Sequence, residues 1–542
     1  MKTLINEANY QIYPQTFKPV NNEVIYQIYP LTFNYAPESK SDPYKGAYGN
    51  LKGITDLVGY VSSLGVDSIW ITPFYPFGGP GFGYDITDYC AVDPMFGTIE
   101  DFEVLCSVYH EMGIRVIIDQ VYNHCSDKHP WFVKSVQRVK PFDDYFIWVD
   151  PKGLDKDGKP IAPNNWKPIW NSHGDTVWEW NEERQQFYMH SFDFAMPNLN
   201  INNKDVQDEL LKIAKFWFDL GADGFRLDAA VHYAPDPKMR DNPVFSSGKK
   251  KGKQNNLYDC QTVGGQIFLN RLKDLCNSYD QPKTLLAEFG YKAMSPQAKQ
   301  RAKEYFADCK VDAYFTGALN GNLRDMKKHI TQDLSLVKNG VKLNWATSSH
   351  DIEREASRVF GRNATLEQKK MLLNLLLSLP GSVCIFQGQE LGLLNPKDFE
   401  KCKNKKFDPK DIWTNYGMPW DAARAGFAMT DKPNDVTCKM ALMPDEEQYK
   451  LAVSNQNGDD CMLNETRKLI KERKNAVWGD FGDVSFIKGV NNPLVVAFVR
   501  FNEDKTKCVL LAYNFSLEDF SFVYKRKHYE VKAMSFIKDR LK

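Results

Sequence analysis

The chain has 542 residues, in which 69 lysines and arginines balance 69 aspartates and glutamates, with 43% hydrophobic and 13% aromatic residues. This composition excludes a disordered chain and leaves no electrostatic footprint for nucleic acid or an anionic membrane. The length exceeds one ordinary compact domain and suits a large barrel that carries one or two smaller domains.

The first residues, Met1-Lys-Thr-Leu-Ile-Asn-Glu7, lack the apolar core and small-residue cleavage site of a signal peptide. Tyr10-Gln-Ile-Tyr-Pro14 recurs as Tyr26-Gln-Ile-Tyr-Pro30, a single echo that reads as a local duplication or edge strand. Short apolar runs then alternate with amphipathic stretches. The predicted strands are Val24–Pro30, Ser68–Thr72, Arg115–Asp119, Gly224–Asp228, Thr284–Glu288, Asp312–Thr316, Asn344–Thr347 and Ser382–Gln387. Each is short and mostly apolar, as a strand buried on both faces must be. Helical patterns lie between most of them: Val206, Leu210, Ile213, Ala214 and Trp217 share one face, with Gly221 at the C-cap. Eight such strands predict a closed parallel (β/α)8 barrel, with a doubly wound open sheet as runner-up.

One connection breaks the rhythm. About 100 residues separate the third strand from the fourth, against the usual 2–6. Residues 125–202 are predicted to form an inserted domain (domain B), with the barrel as 20–124 and 203–476. Six of the 12 tryptophans fall in that insertion, either as its core or as a wall of the cleft. After a charged helix near 464–474, the β-prone runs Val484–Ile487, Leu494–Arg500, Cys508–Asn514 and Phe520–Tyr524 predict an antiparallel C-terminal domain over 477–542. No stretch approaches the about 18 apolar residues of a membrane span. The 11 cysteines are scattered and never spaced C-x-x-C, which argues against a disulfide framework or a zinc site and fits a reducing cytoplasm.

Barrel catalysis sits at the C-terminal ends of strands. Asp119, Asp228, Glu288 and Asp351 all fall there, and acids in such places are costly unless paired or solvated by a site. Arg226 precedes Asp228 by two residues, so the two share a strand face and the guanidinium favours the ionised carboxylate. Phe225 and Leu227 face the helices instead. Glu288 stands among apolar neighbours, where a carboxyl is suited to general acid work. His124 and His350 adjoin two of the acids and suit polar hydroxyls. Gly78-Gly-Pro-Gly-Phe-Gly83 lacks the Walker lysine, and there is no H-E-x-x-H zinc motif, so the paired carboxylates suggest glycoside chemistry.

Asp119-Gln-Val-Tyr-Asn-His124, Gly224-Phe-Arg-Leu-Asp228, Leu285-Leu-Ala-Glu288 and Ser348-Ser-His-Asp351 resemble, in order, the four signature regions of the α-amylase superfamily of retaining glycosidases (glycoside hydrolase family 13). Within it the chain is most similar to the oligo-1,6-glucosidase and α-glucosidase branch. The supporting stretches include Phe82-Gly-Tyr-Asp85, Phe386-Gln-Gly-Gln-Glu390 and Met418-Pro-Trp-Asp421. The resemblance implies Asp228 as nucleophile, Glu288 as general acid/base and Asp351 as transition-state stabiliser. It implies Tyr84, Asp85, His124, Arg226 and His350 as substrate-binding residues. There are departures: Ser349 replaces an asparagine, and Met196-Pro-Asn-Leu-Asn200 replaces Q-P-D-L-N. Asn415 replaces an arginine that pairs with Asp85 in the branch, and the acidic metal loop is missing from the stretch Asn34 to Asn50. Ala229 after the nucleophile, where valine accompanies α-1,6 cleavage, favours α-1,4 or sucrose-type bonds.

The expected protein is therefore a cytoplasmic, exo-acting α-glucosidase, monomeric or weakly homo-oligomeric, with no cofactor, metal, nucleic-acid or membrane partner. A transglucosylase or isomerase of the same branch is the near rival. A non-catalytic binding or transporter-accessory member is the rival from another class.

Overall fold

The structure is a computed structural model. It describes residues 22–34, 49–169 except 80 and 82, 175–245, 252–289, 308–316, 322–336, 342–396, 446–476, 484–502 and 504–541, with the single residues 301, 304, 305, 319 and 429. The Tyr10–Pro14 repeat, most of the Asn34–Asn50 loop, Trp170, Asn415 and Met418–Asp421 lie outside the described residues.

Eight parallel strands close a barrel: β1 (Val24–Ile28), β2 (Ser68–Ile71), β3 (Arg115–Gln120), β7 (Gly224–Leu227), β8 (Thr284–Phe289), β9 (Ala313–Thr316), β10 (Lys342–Trp345) and β11 (Ser382–Phe386). Their order is sequential around the wall, and β1 pairs with both β2 and β11. The open-sheet runner-up is thereby excluded. Successive side chains alternate in direction, so each strand splits into two faces. Ile25, Trp70, Ile117, Leu286 and Cys384 fill the interior, whereas Val24, Tyr26, Ile69, Phe225 and Leu227 belong to the larger core beneath the helices.

The helices follow from periodicity and caps. The helix Ile99–Glu111 opens on a capping box: the Thr98 hydroxyl accepts from the Asp101 backbone N–H, and Asp101 accepts from the Thr98 N–H. The helix Lys204–Asp219 buries Val206, Leu210, Ile213, Ala214 and Trp217, and Gly221 just beyond it has φ +115°. No described helix is long and apolar enough to cross a membrane.

Between β3 and β7 the chain forms a three-stranded antiparallel sheet, β4 (Trp148–Val149), β6 (Gln186–Met189) and β5 (Trp178–Asn181). Trp166 and Trp178 stack in its core with centroids 6.1 Å apart, and Trp148 stacks on Phe132. These tryptophans build the insertion. After the helix Met462–Lys474 comes a four-stranded antiparallel sheet, β12 (Val484–Phe486), β13 (Val495–Phe501), β14 (Cys508–Asn514) and β17 (Ser535–Leu541). A hairpin of β15 (Phe520–Tyr524) and β16 (Lys527–Val531) joins it.

The barrel ends differ in chemistry. At the N-terminal end Arg115 pairs with Glu23 and donates to the Thr284 hydroxyl at 2.8 Å, all three buried. The opposite rim gathers the acids, the histidines and Arg226.

Candidate active site

Arg226 sits on the inward face of β7 and is fully buried. Register sets it beside Asp119 of β3. Its Nη1 donates to Asp119 Oδ1 at 2.9 Å and to Asp228 Oδ1 at 2.8 Å. Its Nη2 lies 2.9 Å from Glu288 Oε2, as an ion-pair contact without hydrogen-bond alignment. Three carboxyl groups from three neighbouring strands thus converge on one guanidinium. Burial works against the charge of Arg226, but Asp119, Glu288, Tyr84 and Asp228 together push it upward, so it stays a cation. Its guanidinium also lies 5.1 Å from the centre of the Trp70 ring.

Burial pushes the Asp119 carboxyl up to about 6, against the pull of Arg226. It pushes Asp228 upward as well, again opposed by Arg226. One cation cannot neutralise three carboxylates, so this cluster has a physical reason to retain a proton.

Ala229, directly after Asp228, occupies the left-handed region with φ +48°. That turn aims its N–H at Glu288 Oε2, 2.9 Å away. Glu288 therefore faces polar partners and is 26% exposed, not enclosed by apolar side chains as its neighbours in sequence implied. Ala287 and Phe289 are buried toward the helices, which is where strand alternation sends them.

The loop after β10 carries His350 and Asp351. His350 is buried, and its Nε2 is 2.6 Å from the Tyr84 hydroxyl and 3.3 Å from Asp351 Oδ1. Tyr84 donates to Asp119 Oδ2 at 3.0 Å, and Trp70 Nε1 donates to the same oxygen at 3.2 Å. The Asp351 side chain is 43% exposed. His124 is buried against Phe192 with ring centres 5.1 Å apart. Burial lowers it to about 3, so its imidazole is neutral; Nδ1 contacts Asn123, while Nε2 has no hydrogen-bond partner among the described residues. Phe192 in turn packs with Met196, Ile169 and Ala229, so the insertion walls the site with these side chains.

Asp85 follows Tyr84 at the end of the glycine-rich loop. It is 0% exposed, beneath the glycine-rich loop, with burial raising it to about 7. A β-carbon at Gly81 would stand 2.6 Å from its Oδ1, and one at Gly78 would stand 2.9 Å from its Oδ2. Its carboxyl thus packs against the backbone of the glycine-rich loop.

Trp70 and Gln27 escaped the sequence reading. Gln27 was legible in principle, as the one polar side chain inside Val-Ile-Tyr-Gln-Ile. Trp70 was not, because an apolar residue in a buried strand carries no sign of which face it takes. Among the described residues no group of three metal-ligating side chains occurs.

The family model described as "Alpha amylase, catalytic domain" matches residues 11–479. The chain is 31% identical to a probable alpha-glucosidase of Rhizobium meliloti, covering 88% of this chain and 84% of the relative. It is 32% identical to an alpha-glucosidase of Apis mellifera, over 94% and 85%. Among solved structures it superposes on the alpha-glucosyl transfer enzyme XgtA with TM-score 0.82 at 30% identity, covering 96% of this chain and 99% of that one. A trehalose-6-phosphate hydrolase of Bacillus licheniformis, at TM-score 0.80 and 24% identity, shares the fold. With a family match over most of its length and relatives of this identity covering nearly all of it, the chain belongs to the α-amylase family of glycoside hydrolases.

Proposed function

We propose that the protein is an exo-acting α-glucosidase that cleaves short α-glucosides with retention. The observation that carries this reading is the shared guanidinium: Asp228 and Glu288 both contact terminal nitrogens of Arg226. Two carboxyls gripped by one side chain are close together, as a retaining pair needs (about 5–5.5 Å) and an inverting pair does not (about 6.5–9.5 Å).

In this reading an Asp228 oxygen attacks the anomeric carbon while the bond to the leaving oxygen breaks. Glu288 supplies the proton that the leaving oxygen takes. Asp351, across the sugar ring, opposes the positive charge that develops. Glu288, now ionised, takes a proton from water, and the hydroxide oxygen displaces Asp228 with a second inversion. Arg226 favours the anionic form of Asp228 against the effect of burial, and the bare Nε2 of neutral His124 accepts a sugar hydroxyl. Relatives named alpha-glucosidase support this substrate class. Scattered cysteines, all nine described ones free, fit a cytoplasmic setting.

The similarity to a glucosyl transfer enzyme gives a second reading, in which a sugar hydroxyl replaces water. Incubation with maltose, isomaltose, sucrose and trehalose separates the two. Free glucose as main product supports hydrolysis, and new disaccharides support transfer. Asp228→Asn is expected to lose at least about 10⁴-fold in kcat; near-wild-type turnover by that variant refutes the nucleophile assignment. Failure of the wild type on every α-glucoside would favour a non-catalytic role.

A further inference from the structure

Gln27 is a fully buried polar side chain on β1, and its Nε2 lies 2.6 Å from His350 Nδ1. From there a line of close contacts crosses the barrel mouth. His350 Nε2 is 2.6 Å from the Tyr84 hydroxyl, which is 3.0 Å from Asp119 Oδ2, which is shared with Arg226 Nη1.

With Asp119 ionised and His350 neutral, the proton inventory of this line has one consistent solution. A phenol carries a single hydrogen, and burial beside Asp119 keeps it on Tyr84. Asp119, ionised against Arg226, only accepts. Tyr84 must therefore donate to Asp119 and accept from His350 Nε2. A neutral imidazole protonated at Nε2 leaves a lone pair on Nδ1, which needs a donor. The amide N–H of Gln27 supplies it. Were the Gln27 oxygen to face His350 instead, Nδ1 would hold the proton and Nε2 would accept. Tyr84 would then turn its one hydrogen away from Asp119.

We propose that Gln27 is a positioning residue that fixes the Nε2–H tautomer of His350 and so directs the Tyr84 hydrogen onto Asp119. It reaches no substrate itself. Its effect runs through Tyr84 and Asp119 to the guanidinium that grips Asp228. The proposal rests on reading this cluster as the glucosidase site.

The test is ¹⁵N NMR of the histidine-labelled full chain, with His350 assigned by its loss in a His350→Asn variant. In the wild type, Nε2 is expected to be protonated and Nδ1 bare. Gln27→Leu is expected to mix the tautomers, and Gln27→Glu, a pure acceptor when ionised, to move the proton to Nδ1. On an α-glucoside, Gln27→Leu should lose about tenfold in kcat or more, with KM within about twofold. The loss should not add to that of Tyr84→Phe, because both act on one line. An Nδ1–H tautomer or an imidazolium in the wild type, an unchanged His350 signal in Gln27→Leu, or additive losses would overturn it. The wild-type spectrum decides even where a variant fails to fold. If the wild type turns over no α-glucoside, the functional reading fails while the spectrum still decides the tautomer.

Discussion

Ala229 holds a backbone conformation that a residue with a β-carbon adopts at a cost of about 1–2 kcal/mol. The cost is stored beside Asp228, and its return is an N–H aimed at Glu288 Oε2. Ala229→Gly removes the strain and keeps the N–H, so it is expected to stabilise by up to about 1 kcal/mol after the entropy of glycine is subtracted. Ala229→Val, branched in the left-handed region, is expected to lower the melting temperature. Thermal melts of the two variants check this, and equal melting temperatures would count against strain at this position. The four acids were legible as residues because charge at the end of an apolar strand needs a reason. Their partners were not. Nothing local in Leu-Ala-Glu-Phe says that Glu288 faces Arg226 and a backbone N–H, since those come from a strand about 60 positions earlier.

At the scale of elements, the sequence reading recovered all eight barrel strands to within a residue or two. Buried parallel strands are continuous apolar runs, and helix caps carry side-chain signatures. The Thr98 cap is an example with a measurable value. Thr98→Ala removes the bond to the Asp101 N–H and is expected to cost about 1 kcal/mol, seen as a lower melting temperature with kcat unchanged. A larger cost belongs to Trp217, whose indole donates to the Tyr89 carbonyl at 2.8 Å and packs edge-on against Phe74 and Phe102. Strands β16 and β17 were missed for a physical reason. β17 lies at the edge of its sheet and alternates half-buried with exposed positions, carrying Lys538, Asp539 and Arg540. Such charges keep an edge from pairing with other chains, and they also hide its hydrophobic pattern. The short strands of the insertion were invisible likewise, because two to four residues set no period.

Over the whole molecule, several acids are buried without enough compensation. Asp333, held by the Thr316 hydroxyl, is pushed up to about 7 by burial, as is Asp85. In the unfolded chain such a group titrates near ~3.9. The folded state thus keeps protons that the unfolded state releases. The stability from each is full below pH ~4 and is lost as pH rises through about 7. Asp333→Asn lies outside the cluster and is expected to be relatively more stable than wild type at about pH 8 than at about pH 5. Melting curves of both proteins at the two pH values test it; parallel shifts would place the linkage elsewhere.

What the sequence determined by itself is the barrel, its strands in chain order and the four candidate acids at their ends, because these rest on local period and on the cost of burying charge. Only the tertiary structure decided which of two similar polar groups does what. Arg115 with Glu23 and Arg226 with its three carboxyls are both buried arginines on barrel strands, yet one closes the N-terminal end and the other lies beneath the site. It likewise put Asp85 under the glycine loop and brought Gln27 to His350 across 323 positions of chain. Contacts of that kind depend on register and closure around the barrel, and no local pattern encodes them.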